Sequence, residues 1–170
     1  MISVGWDYST KSSAIVTMKG TSFSVNDSWT RGPAFKNLPG VINRLSRAIS
    51  TLPGEPFVIG IDWQPMEVYH KTNRQFASVK AFGAGYIWQA IKSETPGHAL
   101  FISPAAVRSA LGVPKNSSKS QVVAAFSEIW VATSGDPIKH LNEHEIDALI
   151  LAYSLRRIVK GKNTLLKLVV

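Results

Sequence analysis

The sequence predicts an α/β domain built on a mixed five-stranded sheet, in which three antiparallel strands are followed by parallel strands and helices flank the sheet. Two observations predict it. Two continuous apolar runs, Ile2 to Asp7 and Phe57 to Asp62, each end in an aspartate, which is typical of buried central strands. Segments with the helical spacing of apolar residues separate the later strands, as in crossover connections.

Composition limits the chemistry. The chain has 170 residues, 45% of them hydrophobic, and a net charge of +8, so it is long enough for one folded core. The charge favours a polyanionic partner such as nucleic acid, and a solvated basic face is the alternative. The absence of cysteine excludes disulfide scaffolds, thiolate zinc sites and thiol nucleophiles, so any metal is held by carboxylate or imidazole. Oxygen-rich sites favour magnesium or manganese.

The chain is expected to form a single domain over residues 1–170, with a basic tail from about residue 156 to 170. That tail is either a solvated terminus or a DNA contact. We find no signal peptide, and no apolar run reaches the ~18 residues that span a bilayer. We therefore expect a cytoplasmic protein with no membrane partner.

The first strand, Ile2 to Asp7, brings a carboxylate to its C-terminal end. Open α/β sheets bind their ligands at that edge, which makes Asp7 the first catalytic candidate, with a turn aspartate as the alternative. Ser12 to Lys19 and Thr21 to Trp29 alternate loosely between apolar and polar residues, and Gly20 lies between them. They are predicted to be two further antiparallel strands joined by a turn.

Helical spacing from Lys36 to Leu52 predicts a crossover helix that exposes Arg44 and ends at Pro53-Gly54. After the strand Phe57 to Asp62, a polar connection leads to Asn73, a predicted N-cap, and a helix to Lys92. Three residues inside that helix, Gly83, Ala84 and Gly85, favour close approach of backbone or of another subunit, with a kink as the alternative.

His98 to Ile102 is predicted to be the fifth strand, followed by a short helix with Ser103 as N-cap and Pro104 in its first turn. The next loop contains Lys115 and Lys119 and opens a helix predicted from Gln121 to about Ala132. Two lysines near a helix N-terminus form a candidate phosphate contact, and a solvated loop is the alternative.

The last informative stretch is N-E-H-E-I-D-A-L-I-L-A, beginning at Asn142. Asn142 and Glu145 have the spacing of a capping box, which gives Glu145 a structural role. His144 and Asp147 are three residues apart and share one face of the predicted helix. Because the following residues are apolar nearly all round, Asp147 is expected to be buried and to need a cation, a metal or a hydrogen-bonding partner.

This order of elements is ribonuclease H-like, and from Ile2 to about Leu155 the chain resembles the RuvC-type Holliday-junction resolvases. The resemblance is carried by motifs in a shared order. They are V-G-W-D at Asp7, V-I-G-I-D at Asp62, N-R-Q-F-A-S-V-K-A-F-G-A-G, F-I-S-P-A-A-V-R, S-S-K-S-Q-V-V-A-A-F, and H-E-I-D-A-L-I-L-A with His144 and Asp147.

The resemblance implies a homodimeric endonuclease that nicks four-way DNA junctions symmetrically, using two Mg²⁺ ions or, alternatively, Mn²⁺. Asp7 is expected to bridge the ions and Asp62 and Asp147 to hold one each, with His144 as a ligand or as the group that positions water. Lys119, and more loosely Lys115, are expected to contact backbone phosphates. The family places an aromatic residue that reaches into the junction after the second acid, which favours Tyr69 over Trp63; core packing is the alternative for Trp63.

The chain departs from the family's pattern at the second acid. Asp62 replaces a glutamate, and the segment that follows it is a few residues longer than in the bacterial enzymes. Glu67 is therefore a second choice to Asp62, which is preferred because it ends the strand, and Glu145 is a second choice among the C-terminal ligands. These departures are typical of a divergent member, such as one encoded by a phage and acting in the bacterial cytosol.

Three other functions are alternatives to a junction resolvase. D-Y-S-T-K-S resembles the first phosphate loop of sugar kinases and actin-type ATPases, but those proteins need two such domains, so no nucleotide cofactor is expected. A junction-binding protein without catalytic activity would leave clustered acids repelling one another without a metal. A nuclease acting on RNA–DNA hybrids or flaps has the same motifs.

Overall fold

A computed structural model describes residues 1–9, 12–30, 38–62, 74–135 and 138–161. The strands are β1 (Ile2–Asp7), β2 (Ser12–Lys19), β3 (Ser22–Thr30), β4 (Phe57–Asp62) and β5 (Gly97–Ile102). The helices are α1 (Leu38–Ile49), α2 (Arg74–Glu94), α3 (Pro104–Leu111), α4 (Lys119–Ser134) and α5 (Glu143–Gly161). No helix within these ranges combines the length and the apolar character needed to cross a bilayer.

The five strands form one mixed sheet in the order β3-β2-β1-β4-β5. β2 pairs antiparallel with both β1 and β3, whereas β4 is parallel to β1 and β5 is parallel to β4. This arrangement confirms the predicted fold class. The two strands that end in aspartate are therefore neighbours at the centre of the sheet.

The first helix is shorter than predicted at its C-terminal end. The expected helix continued to Leu52, but α1 ends at Ile49. The amides of Thr51 and Leu52 bond to the carbonyls three residues earlier, Ala48 and Ile49. The chain thus closes in a tight turn rather than in a further α-helical turn.

Side chains of β1 alternate between two layers of the core, as the two-residue period of a strand requires. Val4, Trp6 and Tyr8 are buried on the face covered by α1 and α2. Gly5 lies on the opposite face, against α5. Asp7 belongs to that face by the same alternation, which puts its carboxylate on the side of the sheet where α5 lies.

The backbone of α5 lies directly on Gly5. A Cβ atom at this position would be 1.8 Å from the carbonyl oxygen of Ala148 and 2.6 Å from the amide nitrogen of Ala152. No side chain fits in that space. The small residues Gly5, Ala148 and Ala152 therefore let helix and strand approach closely, and this contact fixes the height of α5 above Asp7.

Arg44 was expected to be exposed, and that expectation is wrong. Its guanidinium lies 2.8 Å from Asp27 Oδ1 and 4.0 Å from the centre of the Trp29 ring, and both charged side chains are only 17% exposed. The interaction connects α1 to β3. A β-bulge at Asn26 changes the strand register beside Asp27. A helical period identifies the polar face of α1 but not the strand residues that partly cover it.

The glycines of α2 serve different purposes. A Cβ at Gly83 would be 1.7 Å from the Tyr8 hydroxyl oxygen, so the close approach predicted here is made by a side chain that follows β1 rather than by backbone or another subunit. Among the residues described, nothing lies within 4 Å of the corresponding position at Gly85, which is exposed.

The contact between Gly5 and α5 makes a testable prediction. Gly5→Ala should destabilise the protein by about 3 kcal/mol or more, the upper end for an overpacked core, because backbone rather than a side chain must move. Gly60→Ala is the matched control: its Cβ would be 3.1 Å from a side-chain atom of Ile102, and we expect a change within about 1 kcal/mol. Urea denaturation measures both, and equal effects would contradict the prediction.

Candidate active site

A hydrogen bond to its backbone carbonyl holds Asp7 in place. The buried Ser13 hydroxyl donates to the Asp7 carbonyl oxygen at 2.6 Å and accepts from the indole nitrogen of Trp6 at 2.9 Å. Asp62 follows Ile61, which is paired with Trp6 in the parallel register. The two acids therefore occupy equivalent positions on adjacent strands, at the edge where open α/β sheets bind ligands.

His144 contacts Asp7 across the cleft. Its Nδ1 lies 2.8 Å from Asp7 Oδ2, and the two side chains are 27% and 15% exposed. An ionised carboxylate can only accept a hydrogen bond, so Nδ1 carries the proton in this contact. In the neutral imidazole, Nε2 then has the free lone pair, which can bind a metal or accept a proton from water.

A capping box places His144 and Asp147 at the start of α5. The Asn142 side chain accepts from the amides of His144 and Glu145, and a Glu145 carboxylate oxygen accepts from the Asn142 amide. The predicted cap is therefore present, and it engages the carboxylate of Glu145. Glu145 remains a second choice as a ligand, because binding a metal would compete with this cap.

Asp7, His144 and Asp147 can hold one metal ion. Each offers a ligand atom, and these three atoms lie within 4.8 Å of one another. Two carboxylates and an imidazole suit a divalent cation such as Mg²⁺ or Mn²⁺. Asp62 is half-buried and lines the same cleft, but it is not part of this three-residue group.

Lys119 lies within the first turn of α4, not in the preceding loop, so the predicted start of that helix at Gln121 is wrong. Ser118 is the N-cap and forms a reciprocal capping box with Gln121, which begins the helix two residues earlier. The Lys119 ammonium lies 2.5 Å from Glu143 Oε1 and 2.6 Å from Asp147 Oδ2. It thus links α4 to α5 at the site.

The pKa values show how this cluster balances its charges. Burial raises the pKa of the Asp147 carboxyl, and the nearby Lys119 ammonium offsets only part of that effect. Burial lowers the pKa of Lys119, but its hydrogen bonds to Asp147 and Glu143 outweigh burial and raise it overall. Lys119 lowers the pKa of the exposed Glu143. The ion pair alone would lower the pKa of Asp147, so desolvation dominates at that carboxyl.

The site opens into a cleft of about 450 Å³. Besides the acids, His144 and Lys119, its lining includes Arg108 from α3, with Tyr8 and Ser9 after β1. Arg108 was not predicted as a site residue. Its Nε donates to the Ser117 carbonyl at 3.0 Å, and only the packing of α3 beside α5 reveals that it lines the same cleft as the acids.

Of the remaining predicted DNA contacts, the structure describes only Lys115. Lys115 is exposed and does not line the cleft. Trp63, Glu67 and Tyr69 lie outside the described residues. The roles assigned to these four residues, and to the candidate ligands, stay predictions.

The mixed sheet, with two acids at its central edge and a third acid on α5, has the ribonuclease H-like fold. Among proteins with that fold, the chain is similar in structure to RuvC. It superposes on RuvC of Thermus thermophilus in complex with a Holliday junction substrate with a TM-score of 0.64 and 15% identity, over 95% of this chain and 96% of that one.

A second structure of Thermus thermophilus RuvC matches over the same shares of both chains, with a TM-score of 0.64 and 14% identity. The yeast mitochondrial Holliday junction resolvase Ydc2 matches with a TM-score of 0.56 and 11% identity, over 96% of this chain and 82% of that one. No protein-family model matches the sequence, and no curated protein does either. The predicted resemblance is therefore confirmed in the fold.

Metal binding at the three-residue group should stabilise the protein. At ten times the dissociation constant the gain is about 1.4 kcal/mol, or roughly 3–6 °C in Tm for a chain of this size. Differential scanning fluorimetry with MgCl₂ or MnCl₂ should detect this shift in wild type and in Glu128→Gln, an exposed control on α4. Asp7→Asn and Asp147→Asn should lose it.

The shift should also shrink as the pH is lowered. A proton competes with the metal for Asp147, and because burial raises the pKa of that carboxyl, the competition begins at a higher pH than for an ordinary aspartate. An equal metal-induced shift in wild type and Asp7→Asn would contradict binding at this group.

Proposed function

We propose that the chain is a metal-dependent endodeoxyribonuclease that resolves four-way DNA junctions as a homodimer. The observation that carries the proposal is the Asp7–His144–Asp147 group, at the central edge of a RuvC-like sheet and beside Lys119 and Arg108. The net charge of +8 suits a polyanionic substrate.

The acids and His144 are proposed to form the metal centre, with Mg²⁺ or Mn²⁺ as the ion. Asp7 and Asp147 would be ligands, and His144 would be a ligand through Nε2 or would position water while Nδ1–H stays bonded to Asp7. Asp62 is proposed to serve a second ion, with Glu67 as the alternative. A divalent ion bound here would make its water a stronger nucleophile and offset charge on the leaving oxygen.

Lys119 and Arg108 are proposed to position the scissile phosphate. Lys119 Nζ lies 2.6 Å from Asp147 Oδ2, so an ion bound at that oxygen would take over the counter-charge that the ammonium supplies. Glu143, which is exposed and 2.5 Å from Nζ on the other side, would keep Lys119 beside the site. Lys119 could then contact a phosphate oxygen without leaving the cleft.

The first test is cleavage of a synthetic four-way junction beside linear duplex, flap and RNA–DNA hybrid, with Mg²⁺, Mn²⁺ or chelator. Wild type should make paired nicks in the junction alone, and only with metal. Asp7→Asn should lower the rate by about 100-fold or more, because even partners outside the ligand shell are worth 10–100-fold. Glu128→Gln, an exposed acid outside the cleft, is the control.

Junction binding by Asp7→Asn should persist, since the substitution removes a negative charge from the DNA-facing cleft. Binding without nicks by wild type under every metal condition would favour the non-catalytic junction protein, and preferential cutting of hybrid or flap would overturn the substrate. Comparison of Asp62→Asn with Glu67→Gln identifies the second acid, because only the ligand should match the loss caused by Asp7→Asn.

The homodimer is proposed to form through the outer face of α2. Phe82, Gly85 and Trp88 lie on one side of this helix at spacings of three residues, and both aromatic side chains are exposed. A Cβ at Gly85 would meet no atom of the described residues within 4 Å, so none of these residues blocks the approach of a facing helix. Exposed aromatic residues around such a position are typical of protein interfaces.

Truncation of this face should dissociate the dimer. Phe82→Ala with Trp88→Ala should raise the dimer dissociation constant roughly 30-fold or more, as two truncations of about 1 kcal/mol each would. Val131→Ala is the control, because Val131 is an exposed apolar residue on α4, on the other side of the sheet. Sedimentation equilibrium should give twice the chain mass of 18.6 kDa for wild type. A monomeric wild type at micromolar concentration would contradict the proposal.

A further inference from the structure

A second cavity lies at the other end of α5, away from the acids. It has a volume of about 230 Å³, and its lining includes Gly20 in the β2–β3 turn, Trp130 of α4, and Tyr153, Arg156, Arg157 and Lys160 of α5. Arg157 is ten residues beyond Asp147, which corresponds to roughly 15 Å along the helix axis. The cavity is therefore distinct from the proposed active site.

Within the residues that the structure describes, the charge of this cavity is uncompensated. Three cations line it, and no acidic side chain among those residues does. Within the described ranges, neither Arg157 nor Lys160 has an ion-pair partner, in contrast to Lys119, which has two. Favourable interaction with the helix dipole accounts for about 0.3–1 kcal/mol per cation near a helix C-terminus. It does not account for three cations gathered around one concave space, where they repel one another unless an anion is bound.

The side chain of Arg156 is held in a position suited to binding an anion. Its guanidinium donates to the carbonyl oxygen of Gly20, a residue with a φ of 67° that closes the β2–β3 turn. This bond leaves the other guanidinium N–H groups available and holds them at the cavity wall. A preformed guanidinium binds a phosphate group with a smaller loss of side-chain entropy than a free one.

Two aromatic residues, Tyr153 and Trp130, also line the cavity. Tyr153 packs edge-on against Phe126 at 5.5 Å, and Trp130 is almost completely buried. Cations and aromatic rings in one cavity suit the phosphate of a nucleotide unit rather than a bare inorganic ion. The volume is several times the ~30 Å³ that one liquid water occupies, so it can hold a phosphate and part of its sugar.

We propose that this cavity, the Arg156–Arg157–Lys160 pocket, binds a sugar-linked phosphate group. The phosphate can come from two sources, the backbone of DNA or a free nucleotide. A separation of roughly 15 Å spans four to five phosphates at ~3.4 Å per nucleotide along one strand. The DNA source rests on the proposed function, because one duplex arm would have to reach from the cleft along α5; the free-nucleotide source does not.

The DNA source is tested by the salt dependence of duplex binding, measured by fluorescence anisotropy in chelator so that cleavage plays no part. Arg157→Gln and Lys160→Gln should each reduce the slope of log K against log [salt] by about 0.9, the value for one lost phosphate contact. Arg47→Gln, an exposed arginine on α1 across the sheet, is the matched control and should leave the slope unchanged.

The pocket itself is tested with inorganic phosphate and thymidine 5′-monophosphate at constant ionic strength. The indole resonance of Trp130, assigned with Trp130→Phe, should shift saturably in the ¹H–¹⁵N spectrum of the full chain, with tighter binding of the nucleotide. Arg157→Gln combined with Lys160→Gln should abolish the shift. Because this titration needs neither junction DNA nor metal, its result is independent of the nuclease proposal.

Saturable shifts together with the two reduced slopes would support the pocket with DNA as its ligand. Saturable shifts with unchanged slopes would support the pocket with a free nucleotide as its ligand. The absence of a saturable shift would overturn the proposal whatever the slopes are, since surface charge alone can change a slope. A shift that persists in the double variant would overturn the assignment of the binding site to Arg157 and Lys160. A slope that falls equally in Arg47→Gln would overturn the assignment of DNA as the ligand.

Discussion

The contact between the backbone of α5 and Gly5 of β1 is the constraint on which the rest of the structure depends. Only a residue without a side chain leaves room for the Ala148 carbonyl, which would lie 1.8 Å from a Cβ. Because Asp7 is two residues beyond Gly5 and on the same face of the strand, and because Asp147 directly precedes Ala148, the contact that packs the core also brings the two acids together. Fold stability and site geometry therefore rest on one interaction, and a change that lifts α5 from β1 alters both.

The electrostatics of the cleft follow from that geometry. Carboxylates from β1 and α5 are brought together while partly buried, so the site needs hydrogen-bond donors or positive charge. His144 and Lys119 supply these in different ways: the imidazole N–H donates to Asp7, and the ammonium lies between Asp147 and Glu143. Burial still raises the pKa of Asp147. These two groups therefore satisfy the acids only in part, as expected of a site suited to a divalent cation.

Sequence patterns predicted the part of the site that depends on local periods. Asp7 and Asp62 each end an apolar run, and neighbouring parallel strands bring such ends to one edge; the spacing of His144 and Asp147 puts both on one helical face. Contacts between distant elements were missed. Arg108 lines the cleft only because α3 packs beside α5, and no local period predicts that packing. The start of α4 was missed by two residues because Ser118 lies in a run of serines, each a plausible cap, and only the reciprocal bonds with Gln121 single it out.

Substrate selection has to come from outside the acidic cleft. Asp7, His144, Asp147, Lys119 and Arg108 are proposed to hold a metal and a phosphodiester, but every nucleic acid has phosphodiesters, so these proposed roles carry no preference for a branched substrate. Such a preference requires contacts separated by fixed distances, because a four-way junction differs from a duplex in how its arms diverge. Two features outside the cleft supply fixed distances: the exposed aromatic face of α2, which would set the spacing of two clefts in a twofold dimer, and the Arg156–Arg157–Lys160 pocket at the far end of α5. If both serve DNA recognition, the rigid helix α5 sets the distance between the acidic cleft and the Arg156–Arg157–Lys160 pocket within each subunit, and α2 sets the distance between the clefts of the two subunits.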